Sequence, residues 1–248
     1  MFVDAHCHLG LFGNPERIAK EAAGKGVGYI ISCSTGLSSI KKNLELRKSS
    51  KNVLIALALH PTDILRMREA EKKEAMKLIE ANISKAVAVG ETGLDFTHAK
   101  TGAEKRLQEE FFGKFMLLAK ENNKPLVVHS RSAESRCIEL LEAAECKRVL
   151  MHWYTNSENS LEKLLELGFF ASIGPSVLNS RQIQALAKEL PLENMLLETD
   201  APVRFSGKEA EPSWIPRIAE KIAELKGNSV KEVEEKTTEN AKKLFGLP

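Results

Sequence analysis

Short, almost wholly apolar runs alternate along this chain with longer stretches in which apolar positions recur every three or four residues. The first pattern reads as buried strands and the second as amphipathic helices. Strands are expected at Phe2–His6, Val27–Cys33, Val53–Leu59, Ala86–Glu91, Pro125–Ser130, Arg148–Trp153, Phe169–Gly174 and Asn194–Thr199. Helices are expected near Pro15–Lys25, Ser38–Ser50, Leu65–Asn82, Ala103–Asn122, Ala133–Ala144, Ser157–Leu167, Ser180–Glu189 and Ser213–Lys226, with a last one at Ser229–Phe245. Several start on Ser or Asn, which cap helix N-termini, and Gly168 follows LEKLLEL as a terminating glycine should. Eight strands each followed by a helix give the (β/α)8 count. Continuous rather than alternating apolarity suits a parallel sheet covered by helices, so an α/β TIM barrel with an extra C-terminal helix is expected. An open doubly wound sheet is the alternative. It would need a glycine fingerprint after the first strand in its dinucleotide-binding form, and none is present.

The histidines change the picture. MFVDAHCHLG places His6 and His8 one position apart at the end of a strand, on the same face as Asp4, with Cys7 opposite. Two such imidazoles repel if protonated and cost desolvation if buried; a cation between them relieves both, and hydrogen bonding is the simpler alternative. On the strand map, however, His60, His129 and His152 also fall at C-terminal strand ends, as do Glu91 and Asp200. In a barrel these ends share one mouth. Unpaired imidazoles and carboxylates gathered there would be costly, and divalent cations would satisfy the group. Imidazole and carboxylate without thiolate suit Mg, Mn, Zn or Ni, and the ligands outnumber the needs of one ion. Two divalent metal ions bridged by Glu91 are expected. Such a site suits hydrolysis, with Asp200 orienting a water or taking its proton.

Composition adds bounds. At 248 residues with 43% hydrophobic and 28% charged residues, one domain spanning 1–248 is expected. A net charge of +2 argues against attachment to nucleic acid or membrane by bulk charge, and leaves room for a local phosphate patch. Four cysteines without C-x-x-C spacing, no signal-like start and no apolar run of transmembrane length point to a reducing, cytoplasmic setting.

VDAHCHL, ALHP, AVGETGLDF, LVVHSR, the His152 segment, LLETDAP and the late TTENAKKLFG resemble, in order and spacing, the TatD-like metal-dependent deoxyribonucleases of the amidohydrolase superfamily. The resemblance covers essentially the whole chain. It implies a TIM barrel that hydrolyses DNA phosphodiesters, often from the 3′ end of single strands. It also implies that His6, His8, Glu91 and Asp200 hold one metal and Glu91, His129 and His152 the other. Asp200 would be the catalytic carboxylate, and His60 would stand near the scissile phosphate. Thr62 stands where members often have another histidine, Tyr154-Thr155-Asn156 replaces an aromatic-Thr-Gly, and Glu209-Ala210-Glu211-Pro212 replaces Arg-Asn-Glu-Pro. The last change bears on DNA preference more than on metal binding, and leaves a small ester, amide or lactone as the alternative substrate. A metal-binding scaffold without activity is a third reading. Arg131 is a candidate phosphate contact or a surface ion pair, and the same choice applies to Arg204 and Lys208. Trp153 and Tyr154 are candidates for stacking a base or for packing. Asp95 is expected to orient a ligand or cap a turn, and His98 to be an exposed loop residue. No partner beyond a DNA substrate is implied, and a monomer is expected.

Overall fold

A computed structural model describes residues 1–156 and 160–248. Eight parallel strands follow the expected order: β1 (Phe2–Cys7), β2 (Val27–Cys33), β3 (Val53–Ala56), β4 (Val89–Asp95), β5 (Leu126–Arg131), β6 (Val149–Met151), β7 (Phe170–Ile173) and β8 (Met195–Leu197). Continuous ladders join β1 to β3 and β4 to β8. Backbone hydrogen bonds bridge the two seams. At one, Leu57 N–H reaches Ala88 O at 3.2 Å and Glu91 N–H reaches Ser34 O at 3.2 Å; at the other, Asp200 N–H reaches His6 O at 3.0 Å and His8 N–H reaches Ala201 O at 2.7 Å. The fold is the expected α/β TIM barrel.

The helices are α1 (Pro15–Gly24), α2 (Leu37–Ser49), α3 (Pro61–Arg66), α4 (Glu69–Asn82), α5 (Gly102–Glu121), α6 (Glu134–Ala143), α7 (Leu161–Glu166), α8 (Arg181–Glu189), α9 (Ile215–Lys226) and α10 (Val230–Phe245). Side-chain caps account for several starts. Asn14 accepts from Arg17 N–H, Ser180 from Ile183 N–H, and Ser229 from Glu232 N–H while Glu232 reaches back to Ser229 N–H. The single helix expected at Leu65–Asn82 is two. Met67 and Arg68 are extended, and Glu71 Oε2 accepts from Arg68 N–H at 3.0 Å, which starts a new helix there. Ser157, the expected start of the seventh helix, lies outside the described residues. Strand β4 runs four residues beyond Glu91 because Thr92–Asp95 pair with β5, an extension that Gly, Thr and Asp do not announce.

Two apolar clusters follow from the barrel geometry. The larger packs strands against helices and includes Cys7, Ile18, Ile40, Phe112 and Phe115, so Cys7 is buried on the face opposite His6 and His8. The smaller takes alternate strand residues, among them Val3, Ile31, Leu54, Val127, Leu150 and Leu196, together with Ala241, Leu244 and Phe245 of α10. The C-terminal helix therefore closes the end of the barrel opposite the strand C-termini, and Asn240 Nδ2 donates to Leu192 O and Met195 O at the base of β8. A two-stranded hairpin, β9 (Arg204–Phe205) with β10 (Lys208–Glu209), follows the eighth strand and was not expected. No helix among the described residues is long and apolar enough to cross a membrane.

Candidate metal centre

The strand C-termini deliver the polar residues to one place. Glu91 is the hub. Its Oε1 lies 2.7 Å from His152 Nε2, 2.9 Å from His129 Nδ1 and 3.4 Å from His60 Nε2; its Oε2 lies 3.3 Å from His8 Nε2 and 3.6 Å from His6 Nε2. Asp200 Oδ1 lies 3.3 Å from His6 Nε2 and 3.2 Å from His8 Nε2. Among the described residues, three groups have ligand atoms close enough to share an ion: His6, Glu91 and His152; His6, His8 and Asp200; and His60, Glu91 and His129. Every candidate metal-ligating residue read from the sequence is thus in one cluster. His60 stands as near Glu91 as His8 does.

The donor chemistry fits divalent cations. It consists of imidazole nitrogen and carboxylate oxygen, and among the described residues Glu91 Oε2, His6 Nδ1 and His152 Nδ1 of the cluster, with Thr92 Oγ1 beside it, are buried without a hydrogen-bond partner. The His6 and His152 rings stack at 3.9 Å and 13°, so both cannot comfortably carry charge. Burial, reinforced by His152, pulls His6 down from its ordinary value. Burial alone would raise the Glu91 carboxyl, but His152, His60 and His6 around it hold it well below the usual carboxylate range. Burial would likewise raise Asp200, and hydrogen bonds from His6 and His8 reverse this. Burial opposes charge on His8, yet Asp200 and Glu91 push it up to about 10.

A pH dependence follows. A histidine whose folded-state value is raised contributes stability that is complete below about 6.5 and is lost as pH rises through about 10. The lowered carboxylates contribute stability that is lost in acid. Metal-free protein is therefore expected to melt at progressively lower temperature between about pH 6.5 and 10, whereas bound metal, which replaces those protons, flattens that decline. Thermal melts with and without chelator check it; parallel pH profiles would contradict the arrangement.

Behind the cluster stands a layer of supporting groups. Asp95 Oδ2 lies 3.1 Å from His129 Nε2 and 2.9 Å from His98 Nδ1, so it orients His129 as expected and ties it to the exposed His98. Thr62 Oγ1 lies 2.8 Å from His60 Nδ1, so this threonine anchors the imidazole before it. Asp4 accepts from Thr199 Oγ1 at 2.5 Å and Thr199 N–H at 3.0 Å, pinning the turn that carries Asp200 against β1. Burial lifts its carboxyl to about 8.

Glu198 is the group that sequence reasoning missed. It is fully buried, accepts from Ser172 Oγ at 2.6 Å and from Trp153 N–H at 2.7 Å, and stands 3.6 Å from His152 Nδ1. A charged residue inside the apolar run NMLLET was the available signal.

The cluster floors a cleft of about 740 Å³, lined also by Leu11, Arg131, Trp153 and Val203. Arg131 is exposed on its rim. Arg204 and Lys208 lie in the hairpin and do not line it, and Arg204 donates to Gly207 O. Tyr154 is not available for stacking. It is 1% exposed, with its hydroxyl 3.1 Å from Asn156 Oδ1 and 2.9 Å from Ser160 Oγ.

Comparison with known proteins agrees with this geometry. The chain is 33% identical over 258 residues to an uncharacterized metal-dependent hydrolase of Bacillus subtilis (strain 168), YabD, covering all of both chains. It is 35% identical to the human deoxyribonuclease TATDN3 over 98% of this chain and 94% of that one. The crystal structure of YjjV, a TatD homologue of Escherichia coli K12, superposes with a TM-score of 0.88 at 27% identity, covering 100% of this chain and 98% of that one. The model of the TatD-related DNase family matches residues 3–246, and the chain belongs to that family of hydrolases.

Proposed function

We propose that the protein is a divalent-metal-dependent deoxyribonuclease that removes nucleotides from the 3′ end of single-stranded DNA, working as a single-domain cytoplasmic monomer. One observation carries the hydrolytic reading: five imidazoles surround one buried carboxylate, with Asp200 beside them, at the floor of an open cleft. The name of the human relative, deoxyribonuclease, supports the choice of substrate.

His6, His8, Glu91 and Asp200 would hold one cation and Glu91, His129 and His152 a second, drawn from Mg, Mn, Zn or Ni. When bound, such ions lower the pKa of water and neutralise charge developing on a phosphate. Asp200, held ionised by its two histidines, orients the attacking water and accepts its proton. His60 and Arg131 contact the phosphate oxygens. Asp95 and Glu198 keep His129 and His152 aimed at Glu91, so the constellation is set before substrate arrives.

The low net charge favours a second reading, hydrolysis of a small ester, amide or lactone at the same centre. A 3′-labelled single strand decides between them. Shortening that stops in excess EDTA and returns with Mg or Mn is the expected result. Shortening that persists in EDTA overturns the metal mechanism, and hydrolysis of a small ester with no attack on any strand selects the second reading.

A further inference from the structure

The cleft has a feature that metal chemistry does not require. Among the described residues five large apolar side chains are exposed, and two of them, Leu11 at 51% and Val203 at 37%, line this cleft together with the half-buried Trp153. Each is tethered to a member of the polar cluster. Trp153 directly follows His152. Leu11 N–H donates to His8 O at 2.9 Å, and Val203 N–H donates to Asp200 O at 3.0 Å. The apolar wall and the histidine–carboxylate floor therefore keep a fixed relation.

Trp153 is placed there against its own backbone preference. Its φ is 44°, the left-handed region that bulky residues avoid. Its N–H is held by Glu198 Oε1 at 2.7 Å, with Ser172 Oγ at 3.3 Å, and Glu198 is itself buried. The ring packs beside Gly174, where an added Cβ would lie 3.5 Å from it, an ordinary contact distance. A charged group buried behind a strained turn that presents an indole to a cleft is costly if the indole serves only as packing.

The charges point the same way. Arg131 is the one lysine or arginine among the described residues that line the cleft, against Asp63, Glu91, Glu134 and Asp200. Phosphate contacts alone would hold a strand poorly here, whereas stacking of a base on an aromatic ring is neutral in charge and tolerant of sequence. We propose that Trp153, flanked by Leu11 and Val203, is the wall on which a nucleobase stacks next to the scissile phosphodiester. This rests on the deoxyribonuclease reading and makes the terminal base, not only the backbone, a specificity element.

Trp214→Phe leaves Trp153 as the single tryptophan. Its fluorescence in metal-loaded protein is titrated with a nuclease-resistant phosphorothioate tetrathymidylate and with the matching abasic chain. Saturable quenching by the base-bearing chain is expected, at an affinity about five- to hundredfold above that for the abasic chain, the range that stacking of one base supplies. Trp153→Ala is expected to raise KM for a normal strand by a similar factor with a smaller change in kcat, and Trp153→Phe to recover most of it. Equal binding of the two chains, with an unchanged KM for a normal strand in Trp153→Ala, overturns the stacking wall and leaves the deoxyribonuclease reading standing. Wild-type protein that shortens no strand removes both.

Discussion

Glu91→Gln is expected to lower the rate of phosphodiester hydrolysis by about three orders of magnitude or more, and to strip the protein of most of its metal. The substitution keeps the shape of the side chain and deletes only its charge. That charge is what five imidazoles within 3.6 Å are arranged around. Without it, one prospective ion loses its anionic ligand and the other keeps only Asp200. The rings are left facing one another, with two of them stacked at 3.9 Å. A catalytic metal supplies several kcal/mol of transition-state stabilisation, and each 1.36 kcal/mol is a factor of ten in rate, which gives the expected scale. Elemental analysis and single-turnover assays on the variant, with circular dichroism to confirm folding, make the measurement. A folded variant retaining its metal and more than a tenth of wild-type activity would place the chemistry elsewhere.

Gly93→Ala is expected to be the most damaging small substitution in the barrel, costing about 3–5 kcal/mol, at the high end of the range for single replacements. Gly93 lies opposite His129 in the β4–β5 ladder with φ of +133°, and a Cβ there would stand 2.0 Å from His129 O. The obstacle is backbone, so no side-chain rotation relieves it. Either β5 moves, taking His129 away from Glu91 and Asp95, or β4 gives up its pairing. Metal affinity should fall along with stability. Gly113→Ala is the control. It sits inside α5 with nothing within 4 Å of the added methyl, and replacing a helix-interior glycine there should stabilise by about 0.5–1 kcal/mol. Urea midpoints for the two variants test the contrast; a Gly93 variant within 1 kcal/mol of wild type, a threshold well below the usual cost of such strain, would mean the approach of β4 to β5 is looser than drawn.

These two residues also differ in how far the chain announces them. Glu91 was legible, because a carboxylate ending an apolar run is conspicuous once other strands end in histidine. Gly93 was not. Its requirement comes from the partner strand, which enters contact only after folding. The same holds for Glu198, whose acceptor role depends on Ser172, 26 residues away, and on the turn at Trp153. Tyr154 and Trp153 are adjacent aromatics with opposite fates, one buried under its own loop and one facing the cleft, and nothing in their spacing distinguishes them.

The amino-acid sequence by itself determined the strand–helix alternation, the barrel class, and the histidines and carboxylates that meet at the mouth. These depend on local period and on residue type, both of which can be read along the chain. Only the tertiary structure decided that β4 runs through Thr92–Asp95, that the expected Leu65–Asn82 helix breaks at Met67 and Arg68, and which buried groups hold each imidazole in place. Those outcomes rest on pairings between distant segments, where the energy of a contact belongs to two parts of the chain and is written in neither alone.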